Sequence, residues 1–214
     1  MARRVGLTMR LDPPANGSEP TDALAAEWPS ALRRALGPAR WLSIPNLGAE
    51  VARFLRPWGL AGVVLTGGAD VGSCPERDET ERHLIDDCIR HRRPLLGVCR
   101  GLQLLQHHFG GRLTSAPPEH DRGRTHAIEV CHERGRRLLG CERFTAPSYH
   151  RFGVALADLA PELDAWAVSD DGLVEGLHHR ELPIVAVQWH PERPLPQLDL
   201  ADRLLRSFYD GWRI

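Results

Sequence analysis

The residues Gly97-Val98-Cys99-Arg100-Gly101 set a thiol between two glycines, with the apolar run Pro94 to Val98 before it and the helix-patterned run Leu102 to Phe109 after it. This is the strand, nucleophile and helix turn in which a serine or cysteine is held at a sharp bend. Glycines suit such a turn because the nucleophile sits in a strained backbone conformation and Cβ atoms on either side would collide with the adjoining strand and helix. Unpaired N–H groups at the helix start favour a thiolate. Cys99 is therefore expected to be a reactive nucleophile.

A thiolate nucleophile needs a proton shuttle, and the chain offers 11 histidines. His190 ends the apolar run Ile184 to Trp189 and is followed by Pro191 and Glu192. Residues two apart in an extended chain share a face, so Glu192 can orient the imidazole and stabilise its cation. His107-His108 and His178-His179 read as lying on helix or strand surfaces, and His83 and His91 on a charged, solvated helix. His150 has no neighbouring carboxylate and is assigned to a pocket lining. The expected catalytic set is Cys99, His190 and Glu192.

The elements that must bring these groups together follow from periodicity. Short Val, Leu and Ile runs alternate with helical segments, the pattern of a parallel sheet with crossover helices. Strands are expected over Val5 to Met9, Ala39 to Ile44, Gly62 to Thr66, Pro94 to Val98, Ala127 to Val130, Ala165 to Val168, Leu173 to His178 and Ile184 to Trp189. Helices are expected over Thr21 to Leu36, stopped by Gly37-Pro38, and over Ala49 to Leu55, Glu76 to His91, Leu102 to Phe109 and Leu198 to Tyr209. Leu11 to Pro20 and Leu113 to Gly123 read as loops. With no internal repeat or linker, residues 1–214 are expected to form one α/β domain.

Composition narrows the function classes. At 214 residues the chain has room for one ordinary domain and not for a fused synthase. A net charge of -1, with 42% hydrophobic and 26% charged residues, describes a globular protein without the positive field that draws nucleic acid or anionic membranes. Every basic residue is arginine, so Schiff-base, pyridoxal-phosphate and phosphate-loop lysine chemistry is excluded. Five cysteines without a C-x-x-C pair suit a reducing cytoplasm, and no signal-peptide core or membrane-length apolar run is present. Cys131-His132 with His120 and His126 lacks a recognised zinc spacing.

Cys99, His190 and Glu192, in that order, resemble the triad of the class I glutamine amidotransferase family. The resemblance extends to Gln103, to Val187 through Glu192, to Leu65-Thr66-Gly67-Gly68 and to Ser148-Tyr149-His150. Within that family the chain is most similar to the γ-glutamyl hydrolase branch, peptidase family C26. The similarity rests on Gly67 to Val71, on Arg77-Asp78 with Glu81, and on Pro94 to Gln103. Its length and its Ser148-Tyr149-His150 and His190 to Arg193 segments look nearest to the short members that act on γ-glutamyl-CDP-amidate in capsule phosphoramidate pathways. Cys74-Pro75 stands where the γ-glutamyl-γ-aminobutyrate hydrolases carry a longer insert.

Membership implies a Rossmann-like, mostly parallel sheet flanked by helices, and neither metal nor organic cofactor. It implies attack of Cys99 on a γ-glutamyl amide, with the Gly68 and Arg100 backbone N–H groups as oxyanion hole. Gly67, Gln103, Ser148, Tyr149 and His150 are the expected substrate-binding residues. Gln103 could meet the glutamyl end or cap loop backbone. The Arg100 side chain could meet a substrate carboxylate or phosphate, or pair with a surface acid. If the leaving group carries phosphates, Arg10, Arg77 and Arg151 are available near the mouth. The branch's free-standing γ-glutamyl amide hydrolases are the expected model. A glutaminase subunit feeding a separate synthase, a pathway partner such as a nucleotidyltransferase, and a non-catalytic binding protein remain alternatives.

Overall fold

In a computed structural model of the chain, residues 3–12, 14, 19–37, 40–120 and 123–212 are described. Alternation along the strands decides the layers. Val64, Leu96, Val98, Val185 and Val187 belong to the core on one face of the sheet, and Val63, Leu65, Leu95, Ile184 and Ala186 to the core on the other. All are buried, because a strand covered on both sides can be apolar throughout.

The central sheet has nine strands in the order Arg40–Ile44, Arg4–Thr8, Gly62–Leu65, Leu95–Val98, Ile184–Val187, Val174–His179, Leu163–Ser169, Thr125–Glu129 and Arg143–Pro147. The first five are joined by parallel pairings. From Ile184–Val187 onward the pairings are antiparallel. Helices Glu27–Leu36 and Leu198–Tyr209 cover one face through Trp28, Leu32, Leu204 and Phe208, and Leu138 and Leu139 of helix Glu133–Leu139 join the same core. Helices Val51–Leu55, Pro75–Arg90 and Arg100–His108 cover the other through Val51, Ile85, Leu102 and Leu105. The expected α/β architecture is what forms, and among the described residues no helix is long and apolar enough to cross a membrane.

The differences from expectation have local causes. Thr21–Ala23 is not helical but pairs with Arg10–Asp12 as a small antiparallel ribbon, and the helix begins at Glu27. That start puts Pro29 in the first turn, where its missing N–H is harmless; a start at Thr21 would have buried it in the helix interior. Helix Glu133–Leu139 and strand Arg143–Pro147 were not expected at all. In Leu113 to Gly123, Thr114–Ser115 pairs with Phe152–Gly153 and Pro118–His120 forms a 3-10 turn. Pro38, Ala39 and parts of both expected loops lie outside the described residues.

The sheet meets the nucleophile turn through close backbone packing. A Cβ at Gly97 would lie 2.8 Å from the Gly101 carbonyl carbon, and one at Gly101 would overlap the Leu65 carbonyl oxygen of the neighbouring strand. Neither obstacle is a flexible side chain. Gly101→Ala should therefore cost about 1–3 kcal/mol through overpacking, measured as a lower midpoint in urea unfolding with unchanged slope.

Candidate active site

Strand Leu95–Val98 delivers the chain to Cys99, and helix Arg100–His108 starts at the next residue. Cys99 has φ 53 and ψ -104, a left-handed conformation rare for a residue with a side chain. The strain is held from both sides. Cys99 N donates to Val187 O at 2.8 Å, and its carbonyl accepts from Leu102 N at 3.0 Å and Gln103 N at 3.2 Å. The backbone is pinned to the strand that leads to His190 while the thiol faces a cavity.

His190 Nδ1 lies 2.6 Å from Glu192 Oε1, and both side chains are buried. A Cβ on Gly67 would sit 2.7 Å from His190 Cε1 and 3.6 Å from Cys99 Cβ, so the glycine loop, the imidazole and the thiol-bearing carbon meet at one point. The ring stands edge-on to Tyr149, with centroids 5.6 Å apart. Burial opposes charge on His190. Negative charge at Cys99 and then at Glu192 outweighs it and raises the imidazolium pKa from 6.5 to about 10.

Beneath this group four buried charges organise the backbone. Glu81 accepts from Thr8 Oγ1 at 2.6 Å, from Arg77 Nη2 at 3.1 Å and from Arg100 Nη1. Arg100 Nη2 donates to Asp78, whose other oxygen accepts from Gly72 N at 2.7 Å. Arg77 Nη2 also donates to Thr66 O at 2.8 Å and Gly67 O at 3.1 Å. Burial alone would raise the Glu81 pKa, but Arg77 and then Arg100 overcome it and hold the carboxyl below its ordinary value. Thus the residues that carry the site are themselves carried by an ion network.

Two expectations are corrected here. The Arg100 and Arg77 side chains are each only 1% exposed and belong to this network, so neither meets a surface acid or a ligand at the mouth. The same network accounts for glycine at 68. Its φ is +148 and a Cβ would overlap the Arg77 guanidinium, so close approach to Arg77 demands it.

A cavity of about 750 Å³ opens over Cys99 and His190, lined also by Gly68, Gln103, Tyr149 and His150. Ser148 does not line it. It is buried, and its Oγ donates to His120 O at 2.7 Å, which holds the wall that carries Tyr149. Gln103 caps loop backbone, its amide donating to Phe152 O at 2.8 Å, and its side chain also borders the cavity. His150 does have a carboxylate neighbour, from far along the chain: Glu175 Oε1 is 3.5 Å from its Nε2. Its Nδ1 meets Phe152 O at 2.9 Å and its Nε2 faces His120 Nδ1 at 3.2 Å.

At the rim Arg151 bridges to Asp70 at 2.5 Å, and the Arg193 guanidinium lies over the Tyr149 ring, 3.9 Å from its centroid. Arg10 and Gly67 border a narrower adjoining cleft with His190 and Glu192. Arg193 and Asp70 were missed as site residues; the signal available was their place next to the His190 and Gly67-Gly68 segments. His178 and His179, expected on a surface, are 4% and 7% exposed because their strand is interior to the sheet. Cys131 is exposed, and His132 accepts from Arg134 N to cap the following helix, so neither joins His120 and His126.

The His190 proton is bound more tightly in the folded chain, so its stabilising contribution is complete below about 6.5 and lost as pH rises to about 10. In an NMR titration the His190 ring should pass its midpoint near pH 10. Glu192→Gln should lower that midpoint, and Cys99→Ser should lower it more, because the sulfur anion is the larger favourable influence. Midpoints that stay put in both variants would contradict this electrostatic arrangement.

The comparisons fit this geometry. The Peptidase C26 family matches residues 6–192. The glutamine amidotransferase-like protein YvdE of Lactococcus lactis is 38% identical over 153 residues, which is 61% of this chain and 65% of that protein. A gamma-glutamyl-CDP-amidate hydrolase of Campylobacter jejuni is 28% identical over 116 residues, 51% of this chain and 57% of that protein. Each of these alignments spans less than two thirds of the relative's length. A solved structure from Thermoplasma acidophilum, described as a candidate component of GMP synthase, superposes with a TM-score of 0.76 at 24% identity, covering 99% of this chain and 94% of its own. That likeness is one of fold. The family match runs from the first strand to Glu192, and by it the chain belongs to the Peptidase C26 family of class I glutamine amidotransferase-like proteins.

Proposed function

We propose that the protein hydrolyses a γ-glutamyl amide through a γ-glutamyl thioester on Cys99. One observation carries the reading: an imidazole clamped to a buried carboxylate at 2.6 Å stands against a thiol at the floor of a cavity. The thiolate adds to the γ-carbonyl and a tetrahedral oxyanion forms. The Gly68 and Arg100 N–H groups are its donors. Arg100 is the first residue of its helix, so its N–H has no acceptor within the helix, and each such donor is worth about 3 kcal/mol of barrier.

Collapse of the intermediate breaks the C–N bond as His190 passes its proton to the departing nitrogen. Water then gives a proton to His190 while its oxygen attacks the thioester, and glutamate leaves with the thiolate restored. Glu192 keeps the ring aligned in both halves. Gln103 and Tyr149 border the place for the glutamyl end.

The leaving group we assign is anionic and phosphate-bearing, with γ-glutamyl-CDP-amidate as the reference compound. Arg151 and Arg193 border the cavity and Arg10 borders the narrower cleft beside it, and arginine is suited to phosphate. The Campylobacter relative's name supports the same choice.

A panel of glutamine, γ-glutamyl-γ-aminobutyrate, γ-glutamyl polyamines and γ-glutamyl-CDP-amidate, each scored for glutamate, tests the proposal. The nucleotide-linked compound should be turned over fastest by the chain alone, and Cys99→Ala should lose at least about 10³-fold in kcat while retaining binding. Turnover of glutamine only after a synthase is added would favour an ammonia-supplying role. Equal sluggishness on all four would reject the leaving group. Failure of Cys99 to form a covalent adduct with a glutamine-analogue electrophile would reject catalysis.

A further inference from the structure

On the far side of the Tyr149 wall, imidazoles from three separate segments converge on one buried carboxylate. Glu175, on strand Val174–His179, is 0% exposed, and neither of its oxygens has a hydrogen-bond partner among the described residues. No arginine pairs with it there. Its Oε1 faces three imidazoles instead: His126 Nε2 at 3.2 Å, His150 Nε2 at 3.5 Å and His120 Nδ1 at 3.9 Å. An ionised carboxylate is costly to bury unpaired, so either a proton on one of these imidazoles or a bound cation must compensate it.

The outer hydrogen bonds say what is missing. His120 Nε2 lies 2.8 Å from Asp171 Oδ2, so that nitrogen carries the proton and Nδ1 presents its lone pair inward. His150 Nδ1 lies 2.9 Å from the Phe152 carbonyl, which can only accept, so Nε2 likewise presents its lone pair. These two nitrogens face each other at 3.2 Å beside Glu175. Three acceptors thus point at one another, an arrangement that a cation between them converts from repulsive to favourable.

We propose that His120 Nδ1, His150 Nε2 and Glu175 Oε1 bind a divalent first-row transition-metal cation, zinc foremost, as a structural site distinct from Cys99 and His190. Their separations of 3.2, 3.5 and 3.9 Å bracket the spacing of about 3.3 Å expected between tetrahedral ligands around zinc. Asp171 and the Phe152 carbonyl are the outer partners that fix ligating histidines in metal centres. His126 Nε2, without a hydrogen bond, lies 3.2 Å from Glu175 Oε1 and adjoins the three-ligand group. A cavity of about 610 Å³ reaches His120, His126 and Asp171 from outside and gives the ion a route in. The bound ion would tie the turn Pro118–His120, strand Thr125–Glu129 and the Ser148-Tyr149-His150 segment to strand Val174–His179.

The test uses the full chain carrying Cys99→Ser, which removes the competing thiolate beside His190. After chelation, zinc loading and exhaustive dialysis, elemental analysis should find one equivalent of zinc per chain, and the unfolding midpoint should rise by about 5 °C over the stripped protein. His120→Gln and Glu175→Gln should each lose the retained metal and the shift. Because either change could impair folding, zinc-edge X-ray absorption on the Cys99→Ser protein supplies a reading that needs neither: imidazole scattering without sulfur. Absence of retained zinc, which would mean that a proton compensates the cluster, overturns the proposal. So does zinc retained equally by the folded His120→Gln and Glu175→Gln proteins, or a sulfur ligand at the metal.

Discussion

The constraint beneath everything else is the buried pairing of Arg77 and Arg100 with Glu81 and Asp78. Two positive and two negative side chains leave water together, and each alone would be prohibitive. Their hydrogen bonds reach the Thr66 and Gly67 carbonyls, the Gly72 N–H and the Thr8 hydroxyl. The network therefore sets the position of the glycine loop relative to the helix that follows the nucleophile. Hydrophobic packing could hold the same layers together, but it has no direction. The guanidinium forks do, and they place a loop carbonyl and a helix start in fixed register.

On that base the thiol, imidazole and carboxylate divide their dependence on the fold. Glu192 reaches His190 across a single proline, so this pair is nearly local. Cys99 is separated from both by nearly half the chain and meets them because strands Leu95–Val98 and Ile184–Val187 are parallel neighbours in register, Val98 beside Val187. The hydrogen bond from Cys99 N to Val187 O extends that register one residue past the strand end. A slip of one residue would turn the thiol away from the ring, which is why the glycines that permit the tight approach of helix and sheet matter as much as the reactive groups.

The antiparallel half of the sheet does a different job. It supplies the wall opposite the glycine loop, where Tyr149 meets His190 edge-on and Arg193 lies over Tyr149. That wall is held from behind by Ser148, His150 and their buried neighbours, so polar groups that never touch the cavity decide its shape.

The amino-acid order by itself determined the α/β class, the central strands, the nucleophile turn and the His190–Glu192 pair, because each is written in contiguous residues whose period or spacing has a direct geometric meaning. Strand Arg143–Pro147 escaped notice because it lies at the sheet edge, alternating only through Phe144 and Ala146 and ending in proline, which gives too short a pattern to read. Tertiary structure alone decided that Arg77 and Arg100 point inward, that glycine at 68 answers to a guanidinium, and that His120, His150 and Glu175 share one buried place. Charges and imidazoles carry no periodic signature. Their roles depend on which distant partner the folded sheet brings within hydrogen-bonding reach.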